Sequence, residues 1–158
     1  MKIIVNISDA RVSNHAEDEI ITYSLGSCIG VAAYDAAGNI GGLLHYQLPS
    51  SKENAHAPER NPYMFADTGM TELLKEMERL GARKKKLRVK IAGGAEMLND
   101  AKMFSIGKRN YAAIRQILWK NGIFIEKEDV GGKAARTMSL RLADGAVTIR
   151  SQGVHREL

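Results

Sequence analysis

The sequence predicts an α+β fold, and three observations carry that reading. Apolar residues recur with period two over several short, β-branched runs and with helical period over two longer ones. The runs come in the order strands, helix, strand, helix, strands, without the regular alternation of a doubly wound sheet. Two apolar runs are joined by Asp35-Ala36-Ala37-Gly38-Asn39, which reads as a hairpin turn.

Taken in order, residues 2–7 alternate and form a first strand. Residues 11–18 are polar and read as a loop. Residues 20–24 are a second strand, broken by Gly26. Residues 28–34 suit a strand or a buried helix, and the turn that follows selects the strand, paired with residues 40–48. This hairpin sets the start of one strand, at Cys28, beside the end of the next, at His45. Residues 50–62 hold two of the three prolines and read as a long loop of the kind that often contacts ligands.

Asp67 or Thr68 opens a helix whose Met70, Leu73, Leu74, Met77 and Leu80 share a face, with Gly81 at the C-cap. Its methionines suit core packing before a plastic groove. Residues 87–92 are a strand stopped by Gly93-Gly94. Residues 95–104 read as loop with a turn of helix. Residues 107–121 are a second helix, with Ile114, Ile117 and Leu118 on one face and Gly122 at its end. Residues 123–130 are a strand, and residues 137–142 and 146–151 close the chain as a hairpin around Asp144-Gly145.

At 158 residues the chain is expected to be one domain, 1–158, with a core of its own. An apolar fraction of 44% and a charged fraction of 26% are those of a soluble globular protein. No apolar run approaches the roughly 20 residues of a membrane helix. The N-terminus lacks a signal-peptide pattern, so a cytoplasmic location and no membrane insertion are expected. A single cysteine excludes an internal disulfide and a cysteine-rich zinc site. The net charge of +5 is concentrated in Arg83-Lys84-Lys85-Lys86-Leu87-Arg88. No stacking aromatics interleave with this run, so it reads as a solvated connection and no nucleic-acid partner is expected.

Candidate chemistry centres on residues 22–49. Gly26 permits a tight turn, and the backbone amides of Ser27 and Cys28 could then form an oxyanion hole. His45 can reach Cys28 across the hairpin and activate its thiol through an ion pair. A third group is needed to orient the imidazole. Thr22 can serve through hydroxyl or carbonyl, whereas the competing Asp35 falls in the turn, at the far end of the hairpin. Spacing alone leaves each residue its plain alternative: an inert buried thiol, a core histidine, a β-branched strand residue. Cys28 and His45 lack further ligands for zinc, so no metal is expected. Residues 131–136, Gly-Gly-Lys-Ala-Ala-Arg, suit an anion nest or a glycine turn against the core. They lack the rest of a phosphate loop, and no cofactor is expected.

The run Thr22-Tyr-Ser-Leu-Gly-Ser-Cys28-Ile-Gly-Val, then Tyr34-Asp35, Gly41-Gly42-Leu-Leu-His45 and Leu48-Pro49, resembles the CheD family of chemoreceptor glutamine deamidases. The resemblance continues through Asp67-Thr-Gly-Met70, Leu80-Gly-Ala82, Gly93-Gly-Ala95, Ile106-Gly-Lys-Arg-Asn110 and Gly131-Gly-Lys-Ala-Ala-Arg136, so it spans nearly the whole chain. It departs at Tyr46, where some members are more hydrophobic, and at Ala135, where glycine is common. It implies a two-sheet β-sandwich flanked by helices, similar to deamidating toxins. It also implies hydrolysis of receptor glutamine side chains, with Cys28 as nucleophile, His45 as acid and base, and Thr22 as the third residue. The implied partners are the cytoplasmic helices of chemoreceptors and a CheC-type phosphatase. The rival expectation is a non-catalytic binding and regulatory protein of the same partners.

Overall fold

In the computed structural model, which describes residues 1–53, 61–97 and 105–158, the strands form two five-stranded sheets. The first has the order β1 (Lys2–Val5), β3 (Glu19–Leu25), β8 (Arg136–Arg141), β9 (Val147–Ser151), β10 (Val154–Glu157). The second has the order β2 (Asp9–Ser13), β5 (Ile40–Tyr46), β4 (Ile29–Asp35), β6 (Arg88–Gly93), β7 (Ile125–Val130). Both are mixed: β1 and β3 are parallel, as are β6 and β7, and the other pairs are antiparallel. The helices α1 (Ala66–Arg79) and α2 (Ile106–Lys120) follow β5 and β6. Helix α2 lies in the crossover between the parallel strands β6 and β7, which two-residue turns cannot join.

The result is an α+β sandwich of three layers. Ile29, Val31 and Ala33 of β4, with Leu44 and Tyr46 of β5, pack against Met70, Leu73 and Met77 of α1 and Ile114 and Leu118 of α2. The alternate residues Ala32, Tyr34 and Leu43 face Val5, Ile20, Met138, Leu140 and Ile149 of the other sheet. Because both faces are covered, every residue of β4 and β5 is buried. Met70 and Met77 are core residues, as the helical spacing predicts.

The hairpin has the expected partners, with Ile29 opposite Tyr46, Gly30 opposite His45 and Asp35 opposite Ile40. Gly81 and Gly122 have positive φ just past the ends of α1 and α2, as C-terminal glycines should. Two strands were not expected. Residues 11–18, read as loop, contain most of β2, which pairs with β5 from Asp9 opposite His45 to Ser13 opposite Gly41. As an edge strand β2 keeps one flank in water, so its polarity does not disqualify it. Strand β10 is exposed along its whole length and carries no apolar alternation to announce it. Of the predicted loop over 50–62, Ser51–Glu53 and Pro62–Met64 are single 3-10 turns. Its residues 54–60, including His56, and residues 98–104 of the segment expected to hold a turn of helix lie outside the described residues.

Candidate active site

The pleat determines which side chains meet. On β5 the residues Gly41, Leu43 and His45 point between the sheets, while Leu44 and Tyr46 point to the helices. On β4 and its N-terminal extension the inter-sheet residues are Ala32, Gly30 and Cys28. Since Gly30 stands opposite His45, Cys28 is its diagonal neighbour on the same face. Such neighbours lie roughly 7–8 Å apart between backbones, within reach of a long side chain. A Cβ at Gly30 would lie 2.9 Å from both Leu25 and Met138, so this position keeps no side chain beside the imidazole. Cys28 is partly exposed and packs against the inter-sheet core, whereas His45 is wholly buried behind it.

Thr22 comes from the opposite sheet. Its Oγ1 is 2.7 Å from His45 Nδ1 and also donates to the Val5 carbonyl at 2.9 Å. A hydroxyl has one proton, and here the carbonyl takes it. Thr22 Oγ1 therefore accepts from Nδ1–H. The imidazole is held in the tautomer whose Nε2 carries a lone pair, and Nε2 is buried without a hydrogen bond among the described residues. A register shift in β3 between Thr22 and Leu25, with Ser24 at φ 61°, ends the regular ladder directly after Thr22.

Burial pushes the His45 pKa down to about 4, and the Asp9 carboxylate on the neighbouring strand opposes the shift. His45 is therefore neutral near pH 7, so burial works against the imidazolium half of the ion pair expected from the sequence.

The bend at Gly26-Ser27-Cys28 is anchored through its carbonyls. Gly26 O accepts from Ala95 N at 2.9 Å, Ser27 O from Asn110 Nδ2 at 2.9 Å, and Cys28 O from Gly94 N at 2.9 Å. In a trans peptide each carbonyl points opposite to the next residue's N–H. The amides of Ser27 and Cys28 are thus turned away from β6 and α2, as an oxyanion hole at this bend requires. Gly93, at φ 112°, cannot carry a side chain, because a Cβ there would collide with the Cys28 carbonyl oxygen.

The remaining candidates lie elsewhere. Asp35 accepts from Ala37 N and Arg83 N at the far end of the hairpin. Gly131 and Gly132 have positive φ, and Arg136 folds back onto the Gly131 and Gly93 carbonyls beside Asp129. Here the glycine turn supports the Gly93 corner. Lys84, Lys85 and Lys86 form an exposed 3-10 turn before β6. Among the described residues no cluster of three His, Cys, Asp or Glu side chains could hold a metal ion. Sequence reasoning missed Asp9 and Asn110. Asn110 did leave a signal, because an asparagine inside a helix is disfavoured unless its side chain has a task.

A family model described as CheD chemotactic sensory transduction matches residues 47–151, beginning two residues after His45. Curated relatives extend the likeness across the proposed site. A Syntrophus aciditrophicus protein called "Probable chemoreceptor glutamine deamidase CheD 1" is 47% identical over 151 residues, covering 96% of this chain and 94% of its own. A Solibacter usitatus protein called "Probable chemoreceptor glutamine deamidase CheD" is 45% identical over 157 residues, covering 99% and 93%. A solved structure of a Neisseria meningitidis protein of family DUF152 superposes with TM-score 0.47 at 13% identity, over 82% of this chain and 62% of that one.

Proposed function

The chain belongs to the CheD family, and from that premise we propose that it is a cysteine hydrolase that converts glutamine side chains of chemoreceptors to glutamate, releasing ammonia. The observation that supports this best is the Thr22–His45 contact, which leaves Nε2 as a buried base on the Cys28 side of the sandwich. The relatives' names point to hydrolysis of a glutamine amide, and the buried base beside the strand that follows Cys28 supports a thiol as its nucleophile.

In the proposed sequence, neutral His45 takes the Cys28 proton at Nε2. The thiolate attacks the glutamine carboxamide carbon, forming the C–S bond. The amides of Ser27 and Cys28 hold the oxyanion. Imidazolium His45 returns the proton to the nitrogen, which leaves as ammonia when the C–N bond breaks. His45 then deprotonates a water, which attacks the thioester and releases glutamate and the thiol. Thr22 accepts from Nδ1–H throughout, so the ring does not turn when it is charged.

The proposed substrate segment is the cytoplasmic helical region of a chemoreceptor, and a cytoplasmic location is part of the same proposal. Among the described residues no helix is long and apolar enough to cross a membrane. A CheC-type phosphatase is the proposed regulatory partner, and its support is the family alone. The test is to incubate a receptor cytoplasmic fragment with the protein and with Cys28→Ala, following both mass and binding. The wild type should add the increment of replacing NH2 by OH, and Cys28→Ala should bind without adding it. Binding with no mass change in the wild type would favour the non-catalytic regulator instead.

A further inference from the structure

Asn110 is wholly buried in the second turn of α2, yet its side chain serves neither the helix nor a cap. Nδ2 donates to Ser27 O at 2.9 Å and to Gln47 O at 2.8 Å. Its backbone carbonyl accepts from the Tyr46 hydroxyl at 2.5 Å. Burial, and then the nearby Cys28, pushes the Tyr46 phenol well above its ordinary pKa, so it remains a donor. The amide cannot be the other way round, since Oδ1 would then face two carbonyl oxygens. Oδ1 has no hydrogen-bond partner among the described residues.

The geometry points to Asn110 as a positioning residue for the reaction, a clamp between the nucleophile's bend and the end of the strand that carries the base. Ser27 immediately precedes Cys28, and Gln47 lies two residues beyond His45. One NH2 group therefore ties the two strand ends together from the helix layer, on the side opposite Thr22. Its bond to Ser27 O also orients the Ser27–Cys28 peptide plane, and with it the Cys28 N–H that the oxyanion needs. Tyr46, next to His45 but facing the helices, holds the clamp in place. The inference rests on the proposed function in two respects, that Cys28 is the nucleophile and that its backbone N–H holds the oxyanion.

Two small probes of Cys28 separate this role from a structural one. Acetylation by p-nitrophenyl acetate passes through a tetrahedral oxyanion, while alkylation by iodoacetamide is a direct displacement with none. Both need the thiolate, so loss of His45 should slow both. Rates are read by intact mass on the wild type, Asn110→Ala and Tyr46→Phe, with folding checked by circular dichroism and melting. Asn110→Ala, which removes the NH2 group without adding a charge, should lose about tenfold or more in acetylation while alkylation stays within about twofold, since a correctly aimed oxyanion donor is worth 10²–10³. Tyr46→Phe, which removes only a hydroxyl, should show the same selectivity in smaller measure, and it decides the matter if Asn110→Ala does not fold. Equal losses in both reactions, or no loss in the folded variant, would overturn the inference. Neither probe is a glutamine. A wild type that acetylates normally yet leaves receptor glutamines intact would defeat the deamidase reading and leave the clamp standing.

Discussion

Thr22 and His45 belong to different sheets, and their side chains meet at 2.7 Å between Oγ1 and Nδ1. Because Thr22 spends its proton on Val5 O, the contact determines which imidazole nitrogen is free to act as base. Thr22→Val keeps the side chain's shape and removes the acceptor. Deamidation should fall by about 10- to 100-fold, a large part of what positioned acid–base help supplies, with KM little changed. Thr22→Ser should recover most of the rate. Steady-state kinetics on a receptor fragment read both values.

His45 also leaves a signature in stability. Its pKa is lowered from 6.5 unfolded to about 4 folded. Between those values the unfolded chain binds the proton and the folded one does not, so stability rises with pH in that window. The contribution, about 3 kcal/mol, is complete above the unfolded pKa and is lost as pH falls toward the folded one. Denaturant melts from pH 4 to 7 should show this slope in the wild type and a shallower one in His45→Gln.

Gly93→Ala should harm both fold and site. The added Cβ meets the Cys28 carbonyl, and a φ of 112° suits only glycine. The cost should be at least about 1–3 kcal/mol by chemical denaturation, with reduced Cys28 acetylation in whatever remains folded. Gly122→Ala is the control, because its Cβ would meet nothing within 4 Å even though its φ is also positive.

Replacing Lys84, Lys85 and Lys86 together with serine should leave Cys28 acetylation unchanged and shift stability by no more than about 0.5 kcal/mol per position, as for exposed positions generally. The three lysines cap an exposed turn far along the hairpin from Cys28, near the Asp35 end.

How much of this was legible in the chain depended on how local the cause was. The β4–β5 hairpin, the apolar face of α1 and the glycines ending both helices are written in short-range pattern, and they appear where that pattern puts them. That Cys28 and His45 come to one face at the same end of the hairpin followed from the hairpin alone, although Gly30 is the residue opposite His45. Thr22 did not, because its contact crosses between sheets, and the two-sheet arrangement came from the family resemblance and not from periodicity. Strand β2 was misread since an edge strand with one wet flank looks like a polar loop. The neutral state of His45 was missed because burial on both faces of β5 is a property of the assembled layers. Asn110 lay within a stretch that carried the resemblance, but its two acceptors are distant in sequence and only the fold brings them to one amide.

If amide hydrolysis passes through a covalent bond to Cys28, acid quenching during turnover traps that bond. Wild-type protein mixed with a receptor fragment and quenched within one turnover should yield a thioester-linked species, mapped by peptide mass to Cys28 and to one receptor glutamine, and released by hydroxylamine. Cys28→Ala should yield neither adduct nor glutamate. Glutamate formation by Cys28→Ala at the wild-type rate would rule out Cys28 as the nucleophile.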